Sequence, residues 1–278
     1  MDSNRSLKQD SGMIDTLKII PIEQIVPFEN YSDEHANRQI NELKLLGTLR
    51  NPLLVYPIKD RFLLLDDSCT IKALNTLNID HVPVQIASKD KVSIYPWQKV
   101  VEGWHYPDLV KFCEKFPRQI KILMEASGKL RRDEAEFRFR DRQVVRLRFV
   151  SDSFWVRADI YCKLYKDIAW SRKSYRASLE YNHHLQFTEH PKASAVIFPI
   201  CFNMDELSEF AQKGALLPRG IVRGDLPGRI LGIDYSLAIL KEKVGVEDKE
   251  LFLRELIEMR MKADRTTYYF GKVFVFNS

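Results

Sequence analysis

The run Asp66-Asp67-Ser68-Cys69-Thr70 places two carboxylates, two hydroxyls and a thiol in consecutive positions. An apolar strand-like run, Arg61-Phe62-Leu63-Leu64-Leu65, precedes it, and Ile71, Leu74 and Leu77 follow at helical spacing. A strand-to-helix turn sets its groups at a helix N-terminus, where backbone N–H groups and the helix dipole favour anions. Asp67 reads as a first-turn carboxylate. Asp66 has two readings, a helix cap or a strand-end carboxylate that holds Mg²⁺. Cys69 invites redox chemistry, because a helix N-terminus lowers a thiol pKa, but two neighbouring carboxylates oppose this. Arg223 and Arg229 lie in a Gly/Pro-punctuated stretch over 217–232. Such a stretch suits recognition of a carboxylate or phosphate, and equally suits arginines that brace a turn.

Other candidates are weaker. The four cysteines, Cys69, Cys113, Cys162 and Cys201, form no close pair, which argues against zinc and against a disulfide framework and fits a reducing cytoplasm. His183-His184 reads as a loop pair without metal, since adjacent histidines do not converge on one ion. Glu136-Phe137-Arg138-Phe139-Arg140 and Val145-Arg146-Leu147-Arg148-Phe149 alternate with period two around Asp141-Arg142-Gln143, which predicts a hairpin with an apolar face and an arginine face. That face either binds a nucleic acid or phosphorylated ligand or is a solvated face paired with acidic neighbours. The alternating aromatics are expected toward the core.

The elements that must position these groups give an α+β chain. Over 16–90 the order is strand (Leu17 to Ile22), amphipathic helix (33–46, ending at Gly47), two strands around the turn 57–60, the Asp66 turn, a helix, and the strand His81 to Ile86. Beyond a polar link, 91–278 reads as a second α+β portion: a partly helical aromatic segment over 97–116, the hairpin, a helix from Ser153, a strand over 195–200, a helix over 204–213 opened by Asn203, a helix over 249–262, and one terminal strand over 268–276. Residues 1–15 read as a disordered tail without an apolar signal region. No apolar run approaches the roughly eighteen residues that span a bilayer, so a cytoplasmic protein is expected. The net charge of +5 is uneven: residues 129–176 hold fourteen Lys/Arg against seven Asp/Glu, and residues 16–90 hold eight against ten.

The run Leu17 to Ile25 and the block from Pro52 to Ile86, with its short acidic turn and final Val82-Pro83-Val84 strand, resemble ParB/sulfiredoxin-like domains. Within that superfamily the chain is most similar to free serine kinases, in particular the ParB-like serine kinases of staphyloferrin B siderophore clusters. Trp97-Gln98, the Lys213-Gly214 helix end, Gly220-Ile221-Val222-Arg223, Gly228-Arg229 and Leu237 to Lys241 extend the likeness along most of the chain. No helix-turn-helix pattern follows the first unit, unlike the ParB proteins of chromosome partition.

The resemblance implies a kinase that moves phosphate from ATP or ADP to the hydroxyl of serine or a related small molecule, in siderophore or amino-acid-derived metabolite biosynthesis. It implies Glu29 as the base and Asp66 as a second catalytic residue that helps place Mg²⁺. Ser68, Cys69, Thr70 and Arg50 would lie at the phosphates, and Arg223, Arg229 and Trp97 at the substrate, with the second portion closing the cleft. The kinase turn reads roughly Asp-Gly-x-His-Arg, whereas Asp67, Cys69 and Thr70 stand at its Gly, His and Arg positions here. Two phosphate-gripping groups are lost and a negative charge is gained. A sulfiredoxin-type thiol would stand at Ser68, one residue before Cys69. A catalytically degenerate sensor or regulatory relative is therefore the alternative, and nucleic-acid binding through the basic middle region is the third.

Overall fold

The computed structural model describes residues 14–66, 68–124, 128–171, 174–176, 183–263, 266–269 and 273–276. The chain divides into two compact units, one of Met1–Ser93, Ala211–Ala215 and Gly224–Ser278, the other of Ile94–Phe210 and Leu216–Arg223.

The first unit is built on a five-stranded mixed sheet in the order Leu17–Pro21, His81–Ile86, Leu53–Ile58, Arg61–Leu64, Ile25–Val26. Leu17–Pro21 runs antiparallel to His81–Ile86, which runs parallel to Leu53–Ile58. The hairpin of Leu53–Ile58 and Arg61–Leu64 turns through Lys59, at φ +52°. Helix Asp33–Leu46 starts at Ser32 and ends at Gly47, whose φ of +67° closes the last turn in the left-handed region that glycine tolerates best. Helix Ser68–Thr76 buries Ile71, Ala73 and Leu74. The C-terminal residues join this core: Ile230, Ile233, Tyr235, Leu237, Leu253 and Ile257 pack in one cluster with Ile19, Val55, Leu74 and Val84. Burying so continuous an apolar surface is the main stabilisation of the unit.

The second unit centres on an antiparallel six-stranded sheet in the order Ser174–Arg176, Lys99–Glu102, Ala193–Phe198, Glu134–Phe139, Val144–Phe149, Ile120–Met124. Ala135, Phe137, Val145, Leu147 and Phe149 are all but inaccessible, as the period-two pattern requires. Helix Met204–Gln212 opens with a reciprocal cap, in which Glu206 N–H donates to Asn203 Oδ1 at 2.8 Å and Asn203 N–H to Glu206 Oε2 at 2.9 Å.

The α+β class read from the sequence is the observed one. The partition differs from a single cut near residue 90, because 224–278 pack with the N-terminal sheet. The expected terminal strand is instead a hairpin, Thr266–Tyr269 against Val273–Phe276. Lys99–Glu102 and Ile120–Met124, short strands in an aromatic and polar context, escaped the periodicity reading. The expected tail falls mainly on residues 1–13, outside the described residues, as does Asp67.

Candidate functional site

The chemistry-bearing turn is positioned by two sheet strands and held by an arginine from the far end of the sequence. Asp66 follows the Arg61–Leu64 strand, and its Oδ2 accepts the Leu54 N–H at 2.5 Å and Arg229 Nη2 at 2.7 Å. Arg229 Nη2 also donates to Pro52 O at 2.6 Å, and Nη1 to Gln85 Oε1 at 3.1 Å. Gln85, buried on the His81–Ile86 strand, completes the clamp: its Oε1 accepts the Ile230 N–H and its Nε2 donates to Gly228 O, both at 2.9 Å. Each polar group taken out of water here is thus met by a partner, which such burial demands.

Beside this clamp lies a groove of about 630 Å³. Gln39 and Glu42 of the first helix, Arg50 and Asn51 of the following lip, Asp66 and Thr70 of the turn, and Arg229 line it together with apolar neighbours. Four sequence-identified residues, Arg50, Asp66, Thr70 and Arg229, therefore converge. The Arg50 guanidinium is solvent-exposed and makes no ion pair among the described residues, while Arg229 is neutralised by Asp66.

Ser68 and Cys69 point elsewhere. Ser68 Oγ donates to Asn30 O at 2.9 Å, Cys69 Sγ lies 3.8 Å from Ser32 O, and both residues are buried. Neither lines the groove. Lys72, one turn further on, sits 5.3 Å from the Tyr31 ring centroid. The helix start thus fastens the loop 30–32, and with it Glu29, which is half-buried immediately after the buried Phe28.

The Mg²⁺ role assigned to Asp66 meets an unfavourable donor set. One carboxylate oxygen already takes two donors, and a guanidinium stands 2.7 Å away where a dication would compete with it. Among the described residues no three His, Cys, Asp or Glu side chains converge on a metal position. These residues do not fit a metal held by Asp66.

In the second unit the Arg223 guanidinium lies 5.3 Å from both the Tyr95 and the Trp97 ring centroids. Its Nε is buried without a hydrogen-bond partner. Trp97 N–H donates to Ile221 O at 2.9 Å, which sets the ring beside the strand carrying Arg223. Of the three residues the sequence grouped at the substrate, Arg223 and Trp97 thus meet and Tyr95 joins them, whereas Arg229 is taken up by Asp66, Pro52 and Gln85.

The arginine face of the hairpin is paired. Glu136 stands opposite Arg146 and Glu134 opposite Arg148. Glu136 binds Arg146 and Arg138 at 2.7 Å each, and Arg148 reaches Glu134 at 2.7 Å. Both glutamates are buried, so the network is a satisfied cross-strand lattice. Arg140 spends its donors on the carbonyls of Ala193, Phe187 and His190. All four cysteines are free. Burial pushes the Cys113 thiol up to about 12 and Cys162 to about 11, and raises Cys201 against the opposing pull of Arg132. His183 and His184 begin the helix His183–Glu189 rather than a loop.

Gln85, Asn51, Asp234 and Arg260 were not singled out by sequence reasoning. Gln85 carried one signal, a lone amide in the otherwise apolar run Val82-Pro83-Val84-Gln85-Ile86.

No protein-family profile matches the sequence, and no curated protein does. Comparison with solved structures gives a serine-kinase-like fold. SbnI from Staphylococcus aureus, solved with a C-terminal truncation, superposes with a TM-score of 0.72 at 17% identity, over 89% of this chain and 98% of that one. A free serine kinase in complex with AMP gives 0.61 at 15% identity, over 81% and 93%. A conserved hypothetical protein from Pyrococcus furiosus gives 0.58 at 16%, over 81% and 97%. At these identities the likeness is one of fold. No helix among the described residues is long and apolar enough to cross a membrane.

Proposed function

We propose that this protein is a nucleotide-dependent small-molecule kinase of the ParB/sulfiredoxin-like superfamily, moving a phosphoryl group from ATP or ADP to the hydroxyl of L-serine or a related acceptor. The observation that carries this reading is the convergence of Arg50, Thr70 and the Asp66–Arg229 pair in one groove at the start of helix Ser68–Thr76. The fold is shared with a serine kinase solved with AMP and, as a glutamate variant, with ADP.

Phosphoryl transfer asks little of a protein beyond positioning and charge. The acceptor oxygen forms a bond to phosphorus as the bond to the leaving nucleotide breaks, yielding ADP from ATP or AMP from ADP. Glu29 takes the acceptor's proton. Arg50 supplies the cation missing from the turn, Thr70 a hydroxyl donor, and the helix N-terminus its backbone amides. Asp66 acts by fixing Arg229 at the groove wall. Arg223, 5.3 Å from both the Tyr95 and Trp97 ring centroids, carries a guanidinium suited to a carboxylate. The test is phosphorus NMR of purified protein incubated with Mg²⁺, ATP or ADP, and a panel of hydroxy-amino acids. A phosphorylated acceptor is expected, and its absence across the panel overturns the activity.

A second reading, a ligand sensor that kept the scaffold without turnover, is favoured by one feature. Asp66 is closed by Arg229 while Ser68 and Cys69 face inward. Calorimetry separates the two: nucleotide binding without product formation supports the sensor, and binding with product supports the kinase.

A further inference from the structure

The Arg50 lip of the groove does not stand by its own hydrogen bonds. It leans on the corner 232–236. Gly232 N–H donates to Asn51 Oδ1 at 2.9 Å, and Asp234 N–H to Arg50 O at 3.1 Å. Tyr235 and Ser236 then pair antiparallel with Leu49 and Thr48. The corner is an uncommon one: Gly232 has φ +70°, and Asp234, which has a Cβ, has φ +43°. A side chain in that region carries a conformational cost that its surroundings must offset.

Arg260, from helix Val246–Lys262, is placed to offset it. Its Nη1 donates to Gly232 O and lies 3.4 Å from Asp234 Oδ2, so one guanidinium grips both left-handed residues. Arg260 and Asp234 are largely shielded, at 16% and 27% side-chain exposure, which strengthens a charge-assisted contact over its value in water. Arg260 does not line the groove, whereas Arg50, Asn51 and Gly232 do.

We infer that Arg260 is a positioning residue for anion binding in the groove, acting through the 232–234 corner to hold the Arg50–Asn51 lip in place. The inference rests on the proposed nucleotide site for its consequence, and on the corner geometry alone for its mechanism. A small displacement of a charged group is enough to matter, because electrostatic recognition depends on where the cation stands before the ligand arrives.

The experiment combines two readouts on the full-length protein, Arg260→Ala, Arg260→Lys, Arg50→Ala and the double variant Arg50→Ala/Arg260→Ala. Amide hydrogen exchange reports the corner directly: Arg260→Ala is expected to speed exchange in 48–51 and 232–236 while the strand Leu53–Ile58 stays protected. Unchanged exchange in both segments overturns the inference whether or not nucleotide binds. Calorimetry with ATP and ADP reports the consequence. Arg260→Ala is expected to weaken binding about tenfold, the scale of one mispositioned charge-assisted contact. Arg260→Lys should recover part of that loss, and the double variant should bind no more weakly than Arg50→Ala alone. Additive losses would assign Arg260 a general stabilising role and overturn the coupling. Wild-type protein that binds no nucleotide overturns the proposed function, and the exchange data still judge the positioning.

Discussion

Arg229 Nη2 and Asp66 Oδ2 stand 2.7 Å apart although 163 residues separate them in sequence. The contact joins the chemistry-bearing turn to the C-terminal part of the same compact unit, and it sets the electrostatics of the groove. Asp66 is no longer a free carboxylate facing phosphate, and Arg229 is no longer a free cation. Of the two arginines among the described groove residues, Arg50 is left as the cation without an ion pair.

Breaking that pair should cost stability. Asp66→Ala leaves the Arg229 charge facing only neutral oxygens, and a loss of about 2 kcal/mol is expected for a partly shielded hydrogen-bonded pair. Urea unfolding with intrinsic tryptophan fluorescence measures it. A change below about 0.5 kcal/mol would place the pair with ordinary surface bridges.

Gln85 should matter as much as either charged residue. Gln85→Leu keeps the volume but strands Gly228 O, Ile230 N–H and one Arg229 donor. Leaving buried polar groups unpaired is expected to cost about 3 kcal/mol. The reading is a lowered thermal midpoint, and an unchanged midpoint would show that the clamp contributes little.

Glu29→Gln should separate chemistry from binding. Loss of a general base is expected to slow phosphoryl transfer by about 10²- to 10⁴-fold. Nucleotide affinity should stay within about twofold, since Glu29 is proposed to act on the acceptor's proton and not on the nucleotide. Single-turnover assays and calorimetry on the same preparation check both. A variant with full turnover would remove Glu29 from the reaction.

The cysteines should be inert near neutral pH. Cys113 at about 12 and Cys162 at about 11 stay protonated through the physiological range, so reaction with thiol reagents at pH 8 should be slow in the folded protein and fast in urea. Both folded values lie above the ordinary thiol value of 9.0. The folded state therefore binds the extra proton, and stability is full below about pH 9 and falls as pH climbs toward 11 and 12. Replacing Cys113 with Ala should flatten that alkaline decline in melting temperature. An unchanged decline would assign it to other groups.

Sequence alone determined the local elements of the first unit. Buried apolar runs placed two strands at 52–56 and 61–65, and helical spacing placed one helix at 33–46 and another carrying Ile71, Leu74 and Leu77; the observed strands are Leu53–Ile58 and Arg61–Leu64 and the helices Asp33–Leu46 and Ser68–Thr76. Sequence also grouped Arg50 with Ser68, Cys69 and Thr70, and Arg223 with Trp97 and Arg229, through a family resemblance rather than through spacing. It read the arginines of the hairpin as a face that could be paired with acidic neighbours but did not name the partners, although Glu134 and Glu136 share their parity; opposite-strand pairing depends on register, which alternation does not specify. Only the tertiary structure decided that 224–278 pack with the N-terminal sheet, that Ser68 and Cys69 turn inward, and that Arg229 closes on Asp66. Each of these is a contact between distant residues, chosen by the packing of a shared core and by the need to pair buried polar groups. Neither requirement leaves a periodic trace in the chain. The Asp66 turn was legible as a place for chemistry, and its partner Arg229 decides which of its charges remain available.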